Sequence, residues 1–200
     1  EESDVGDRPR RIATGLALLL LVAHVALAGW AIHAQSPTYD EPFHIAGGWA
    51  ALRHGDYDYQ AAWHPPLAEL IAVVPYLFLP QPPVLDRDSQ AYRERVYFAA
   101  ADEFLHHNRV PAGFLLHAAR WALYLALFPV LAFVLHRFAE SLQPGAGVWS
   151  LVLLALEPNL LAHATLVATD FAAAVFFFAA FVTLGDHLRA PSPRNAALCG

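Results

Sequence analysis

Residues 12–33 read IATGLALLLLVAHVALAGWAIH, 22 residues in which His24 is the one ionisable group before the closing His33. As a helix rising 1.5 Å per residue, the run reaches about 33 Å, enough to cross a hydrocarbon core of roughly 30 Å. Arg8, Arg10 and Arg11 stand just before it and predict a cytoplasmic N-terminal side. Ile32-His33-Ala34 ahead of Gln35 has some look of a leader cleavage site, but the run is long for a leader and further spans follow.

Working outward, a second span is expected at 114–138, with Arg137 at its end and a polar turn from Glu140 to Gly147. The apolar tract Val148–Leu184 is too long for one crossing and suits two, at about 147–163 and 168–187. Glu157-Pro158-Asn159 and Ala162-His163 mark the reversal, and Arg189 and Arg194 close the tract. With the N-terminus inside, the loops holding Arg137 and Arg189/Arg194 also fall inside, as the positive-inside rule asks. The segment 34–113 then becomes a long outer loop, and the turn near 158–170 lies on the same side.

Composition agrees with this reading. The 200 residues are 57% hydrophobic and 15% charged, with mean hydropathy +0.38, against about 45–50% apolar and 25% charged in an average soluble domain. All 12 basic residues are Arg, and neither Lys nor Met occurs, which reads as high-GC coding bias and hints at a bacterium. The lone Cys199 excludes a disulfide framework. A net charge of −6 without a basic stripe argues against a nucleic-acid partner. Asn195–Gly200 looks like the opening of another apolar segment, so the chain is expected to be a truncated piece.

The outer loop has structure of its own. Asp40-Glu41-Pro42 reads as a helix start, with a capping carboxylate and Pro in the first turn. Ile45, Trp49 and Leu52 make an apolar stripe at helical spacing, and Gly55 suits the C-cap. Residues 67–79 are apolar but too short to span, and fit an interfacial helix kinked at Pro75. The charged stretch Asp86–Arg109 is assigned to solvent.

Three constellations bear chemistry. Asp40 and Glu41 stand about seven residues past the first span, with His44 one turn after Asp40. A carboxylate at a membrane–water boundary loses hydration, which raises its pKa and suits it to general-base work; the plain alternative is a helix cap. Trp63-His64-Pro65-Pro66-Leu67 stiffens the entry to the interfacial helix and fixes where His64 points, so that it could meet a phosphate or sugar hydroxyl. Glu157-Pro158-Asn159, His163 and Asp170 put ionisable groups in or beside apolar spans, where they are costly and functional candidates by default. Asp56, Tyr57, Asp58 and Tyr59 add groups of the kind carbohydrate sites use, and His117 and Arg120 lie on the second span. No Gly-rich phosphate loop, Cys or His metal cluster, or Gly-x-Ser-x-Gly element occurs.

Together these residues resemble the GT-C superfamily of membrane glycosyltransferases, most closely the bacterial phospholipid-carrier-dependent enzymes related to protein O-mannosyltransferases and aminoarabinose transferases. The run Asp40-Glu41-Pro42-x-His44-Ile45-Ala46-x-Gly48, then Leu52-x-x-Gly55-Asp56, then His64-Pro65-Pro66-Leu67 follows the family's first outer loop in order and spacing. Ala119-Arg120 resembles its Ala-Arg pair, and Pro158-Asn159-Leu160-Leu161-Ala162-His163 with Asp170 its second outer turn. The resemblance covers nearly the whole chain.

It implies an all-α, polytopic transmembrane fold of GT-C type, here the N-terminal part of one such domain with about four spans and an outer loop carrying short interfacial helices. It implies a sugar donor on polyprenyl phosphate, a hydroxyl acceptor on protein, lipid or glycan, and inverting transfer at the outer face of a bacterial inner membrane. Asp40 would be the general base and Glu41 would orient it or the acceptor. His64 would stabilise the phosphate, at a place where relatives often carry Lys. Asp170 would help fix sugar or acceptor, with His44, Asp56, Arg120 and His163 as further substrate-binding candidates. A divalent metal is left open, since Asp40, Glu41 and Asp170 would permit one. Two competing readings are an ion-relay transporter or channel using the carboxylates, and a non-catalytic membrane scaffold.

Overall fold

The computed structural model describes residues 2–59 and 64–199, with side chains from Arg11 to Leu198 outside the gap. Trp63, read above with His64, lies outside the described residues. Among those residues the elements are helical and no strand occurs. In order they are α1 (Glu2–Ala34), α2 (Glu41–His54), α3 (Leu67–Val73), a 3-10 turn (Val74–Phe78), α4 (Gln90–Arg93), α5 (Tyr97–His106), α6 (Ala112–Leu142), α7 (Ala146–Ala155), α8 (Pro158–Ala164), α9 (Thr169–Arg189) and α10 (Pro193–Cys199).

Three stretches are long and apolar enough to cross a membrane, Arg11–Ala34, Ala112–Leu142 and Thr169–Arg189. A fourth crossing exists if α7 and α8, bent by 67°, count as one broken span. The expected third span is therefore not a straight rod. Pro158 cannot donate a helical hydrogen bond and disfavours helical geometry in Glu157 before it, so α7 stops at Ala155 and the chain restarts at a new angle. These helices leave large apolar side chains uncovered, among them Leu19, Val22 and Trp30 on α1 and Phe177 and Phe181 on α9. A surface of this kind suits hydrocarbon rather than water. The chain is thus an all-helical protein with three or four helices able to span a bilayer.

The chain packs as two compact units. One comprises Glu1–Ala28, Leu127–Leu161 and Ala173–Gly200. Within it, His24 Nδ1 bonds the Ala155 carbonyl (3.2 Å) and its ring stacks on Phe128. Arg137 approaches Asp186 at 3.9 Å, and Phe138 packs edge-on against Phe178 and Phe181. The Glu140 carboxylate accepts from the Gly145 and Gly147 amides and closes the α6–α7 turn, with Gly145 left-handed at φ 88°.

The other unit comprises Gly29–Ala126 and Ala162–Ala172. Its core is built on α2, whose Phe43, Ile45, Ala46 and Trp49 are buried with Tyr76, Phe104, Leu105 and Leu115. Gly55 ends α2 in the left-handed conformation (φ 65°), as expected. The Asp86–Arg109 stretch is not all solvent-facing, because α5 buries Ala100, Ala101, Phe104 and Leu105. The segment from Leu67 to Phe78 is two-faced. Ala68, Glu69, Ala72, Val73 and Tyr76 are buried, while Leu67, Val74, Leu77 and Phe78 stay exposed.

The α2–α3 contact depends on Gly48. A Cβ there would stand 2.5 Å from the Glu69 carbonyl oxygen, and backbone cannot give way as a flexible side chain can. Gly48→Ala is therefore expected to push α3 off α2 and destabilise the protein by about 1–3 kcal/mol. A thermal melt in detergent checks it; an unchanged midpoint would show that the contact is looser than described.

Candidate active site

The start of α2 sends two adjacent carboxylates in different directions, because consecutive helical residues point about 100° apart. Glu41 turns inward and is fully buried against Arg120, itself fully buried. Its Oε1 accepts from Arg120 Nε (2.8 Å) and the Val167 amide (2.9 Å). Its Oε2 accepts from Arg120 Nη2 (2.6 Å) and the Thr38 amide (2.8 Å). Arg120 spends its remaining donors on the carbonyls of Ile32 (3.0 Å), Gln35 (2.9 Å) and Ser36 (3.0 Å). The last carbonyls of a helix have no partner within it, and the end of the helix dipole favours a cation. Arg120 thus caps α1 while holding Glu41, and Glu41 in turn holds the segment that carries Asp170.

This corrects two expectations. Glu41 has no lone pair left for an acceptor, a metal or Asp40, and Arg120 has no donor left for a substrate. Both are frame residues. Nor does Asp40 serve as the side-chain cap expected of it. It occupies the N-cap position, but its carboxylate makes no cap hydrogen bond and instead accepts from the Thr38 hydroxyl (2.9 Å). Its side chain remains 52% exposed.

One turn further along, His44 is buried between two carboxylates. Its Nδ1 donates to Glu69 Oε1 (2.8 Å), while Nε2 faces Asp40 Oδ2 at 3.7 Å. Glu69 is 1% exposed, and among the described residues its Oε2 has no hydrogen-bond partner. A buried carboxylate incompletely satisfied costs stability; its visible effect is to fix the tautomer and ring orientation of His44. The His64 ring lies 5.0 Å from that of His44, centroid to centroid.

These groups open onto a cavity of about 420 Å³. Its charged and imidazole lining residues are Asp40, His44, His64, Arg95 and Asp170, and Phe43, Tyr97 and Phe98 supply aromatic wall. Residues from α2, the His64 turn, the α4–α5 connection and the start of α9 thus meet at one hollow, all within the unit formed by Gly29–Ala126 and Ala162–Ala172. No family model, curated protein or solved structure matches the chain.

The remaining candidates fall elsewhere. Asp56 lines a second, more polar cavity of about 630 Å³ with Asp58, Arg87, Asp88, Tyr92 and Arg95 among its walls. There it accepts a short hydrogen bond from the Tyr92 hydroxyl. Burial and then Asp56 push Tyr92 up to about 12, so this phenol stays a donor at neutral pH. His163 is exposed on α8 and is absent from the Asp40 cavity. His117 packs edge-on against His33. Among the described residues no group of three or more His, Cys, Asp or Glu is arranged to hold a metal ion; the set Asp40, Glu41 and Asp170 does not converge, because Glu41 faces Arg120.

Two residues at the site had no place in the sequence reading. Glu69 is the single carboxylate of the apolar run 67–79, and an isolated charge among apolar residues was the available signal. Arg95 carries no sequence mark at all.

Proposed function

We propose that the chain is the catalytic part of a membrane glycosyltransferase that moves a sugar from a polyprenyl phosphate to an acceptor hydroxyl. The observation that carries this reading is the combination, on one cavity, of an accessible carboxylate released from capping and a histidine held by a buried carboxylate. Asp40 removes the proton from the acceptor hydroxyl as that oxygen forms a bond to the anomeric carbon. The bond from that carbon to the phosphate oxygen breaks on the opposite face, and polyprenyl phosphate leaves with the electron pair. The configuration inverts. A phosphate leaves as a stable anion, so the site must hold charge rather than deliver a proton to it. Glu69 holds the His44 ring beside Asp40 on the wall of the cavity, and Asp170 faces the sugar or acceptor. With the arginine clusters on the cytoplasmic side, the cavity opens to the outer face.

Membranes carrying the protein, supplied with a radiolabelled polyprenyl-phosphate hexose, are expected to pass label to an acceptor. Proton or ion flux through reconstituted vesicles, with no label transferred under any donor, would overturn the reading in favour of an ion relay.

Glu69 has a distinct expected signature. Glu69→Gln keeps the shape but loses the anion that orients His44. The kcat is expected to fall at least about tenfold, a share of the 10²–10⁴ typical of general-base catalysis, with KM little changed. A rise in KM at constant kcat would instead assign Glu69 to substrate binding.

A further inference from the structure

We propose that Arg95 is the anion-binding residue of the Asp40 cavity, and that the group it takes is the phosphate of the lipid-linked donor; this rests on the glycosyl-transfer reading above. Among the described residues, Arg95 is the only one lining that cavity with a permanent positive charge. The other nitrogen bases there are the imidazoles of His44 and His64. In the donor the phosphate is a diester with one negative charge, and on release it becomes a monoester carrying about −1.5 to −2 charges at pH 7. The guanidinium fork matches such oxygens two at a time, and it never deprotonates.

Three observations single out this arginine. Its side chain makes no hydrogen bond or ion pair among the described residues, whereas Arg120 is saturated and Arg137 lies beside Asp186. It is exposed and lines both of the cavities described above. And it is the one non-glycine residue, among those described, with a left-handed backbone, at φ 58°.

The local reason for that backbone makes the residue type informative. Arg95 follows the C-cap of α4, where its amide bonds the Tyr92 carbonyl (3.1 Å) and the Val96 amide bonds the Ala91 carbonyl (2.9 Å). This is the Schellman closure, whose left-handed position is ordinarily glycine because a Cβ is strained there. The backbone there would be served better by Gly, so arginine at this position runs against the local preference. Strain of that kind clusters at binding sites.

Formal charge does not choose between the cavities, since the second sets Asp56, Asp58 and Asp88 against Arg87, Arg93 and Arg95. The choice follows from the transfer reading, because the phosphate must lie beside the carbon that Asp40 serves, and Asp40 shares its cavity with His44, His64 and Arg95. A phosphate between Arg95 and His64 leaves Asp40 free for the acceptor.

The test compares the detergent-solubilised protein with Arg95→Gly and Arg95→Lys, using farnesyl phosphate, farnesol and inorganic phosphate as probes. Farnesyl phosphate is expected to raise the melting temperature of the parent protein, and farnesol is not. In Arg95→Gly the ligand-free melting temperature is expected to stay level or rise, while affinity for farnesyl phosphate falls at least tenfold; Arg95→Lys retains part of it. Unchanged affinity in Arg95→Gly, or a lower melting temperature without ligand, would overturn the assignment. Inorganic phosphate binding as tightly as farnesyl phosphate would overturn the lipid-linked source. Because binding is read without turnover, a protein that binds through Arg95 and transfers no sugar would remove the transferase reading alone.

Discussion

Asp40→Asn is expected to lower sugar transfer by about 10²–10⁴-fold, the usual contribution of a positioned general base, while leaving the protein as stable as before. The two halves of this expectation rest on different observations. The rate falls because an amide cannot take the acceptor proton at neutral pH. Stability holds because the Asp40 side chain is half exposed and makes no cap hydrogen bond. Surface changes away from such features stay within roughly 0.5 kcal/mol. Asn is also as good an N-cap as Asp, so any residual capping survives and the charge alone is removed. Transfer measured on equal amounts of folded protein, with a melt alongside, separates the two. A variant that transfers sugar at the parent rate would remove Asp40 from the chemistry. One that melts early would make it a structural residue after all.

Arg120→Met should do the reverse, removing the fold along with any activity. The substitution leaves the Glu41 carboxylate buried with only two amides as partners, and it uncaps three carbonyls near the end of α1. Breaking a buried pair by deleting one partner costs about 3–5 kcal/mol, a large part of the roughly 5–15 kcal/mol that holds a typical domain together. The expected readout is a strong loss of monodisperse protein after solubilisation and a much lower melting temperature. Adding Glu41→Gln should recover part of the loss, since the stranded charge is then gone, and the pair should fail additivity by about 0.5–3 kcal/mol. Melting within a fraction of a degree of the parent protein would mean that the pair is not the organising contact described above.

How much of this was legible beforehand follows from the range of each interaction. The membrane-crossing helices were legible because apolarity over twenty residues is a local property; the bend before Pro158 was the part that composition alone understated. Asp40 and His44 were legible together, being one turn apart on a helix whose Pro42 and Gly55 mark its ends. The fate of Glu41 was not, because its partner lies 79 residues along the chain. Adjacent carboxylates look equivalent in sequence, and only the packing of α6 makes one a strut and leaves the other accessible. Glu69 was hidden for the same reason, its partner His44 being 25 residues back. The Asp40 cap was misjudged because the Thr38 hydroxyl competes for the same carboxylate.

The Glu41–Arg120 pair also orders events in time. Ribosomes release a chain N-terminus first, at about 5–20 residues per second, so the 79 residues separating these partners take about 4–16 s to appear. Through that interval α1 is already made, with its terminal carbonyls and Glu41 still waiting for Arg120. The hollow cannot close until Arg120 arrives. Making α1 and closing the cavity are therefore separate events, because Glu41 is synthesised well before the arginine that pairs with it.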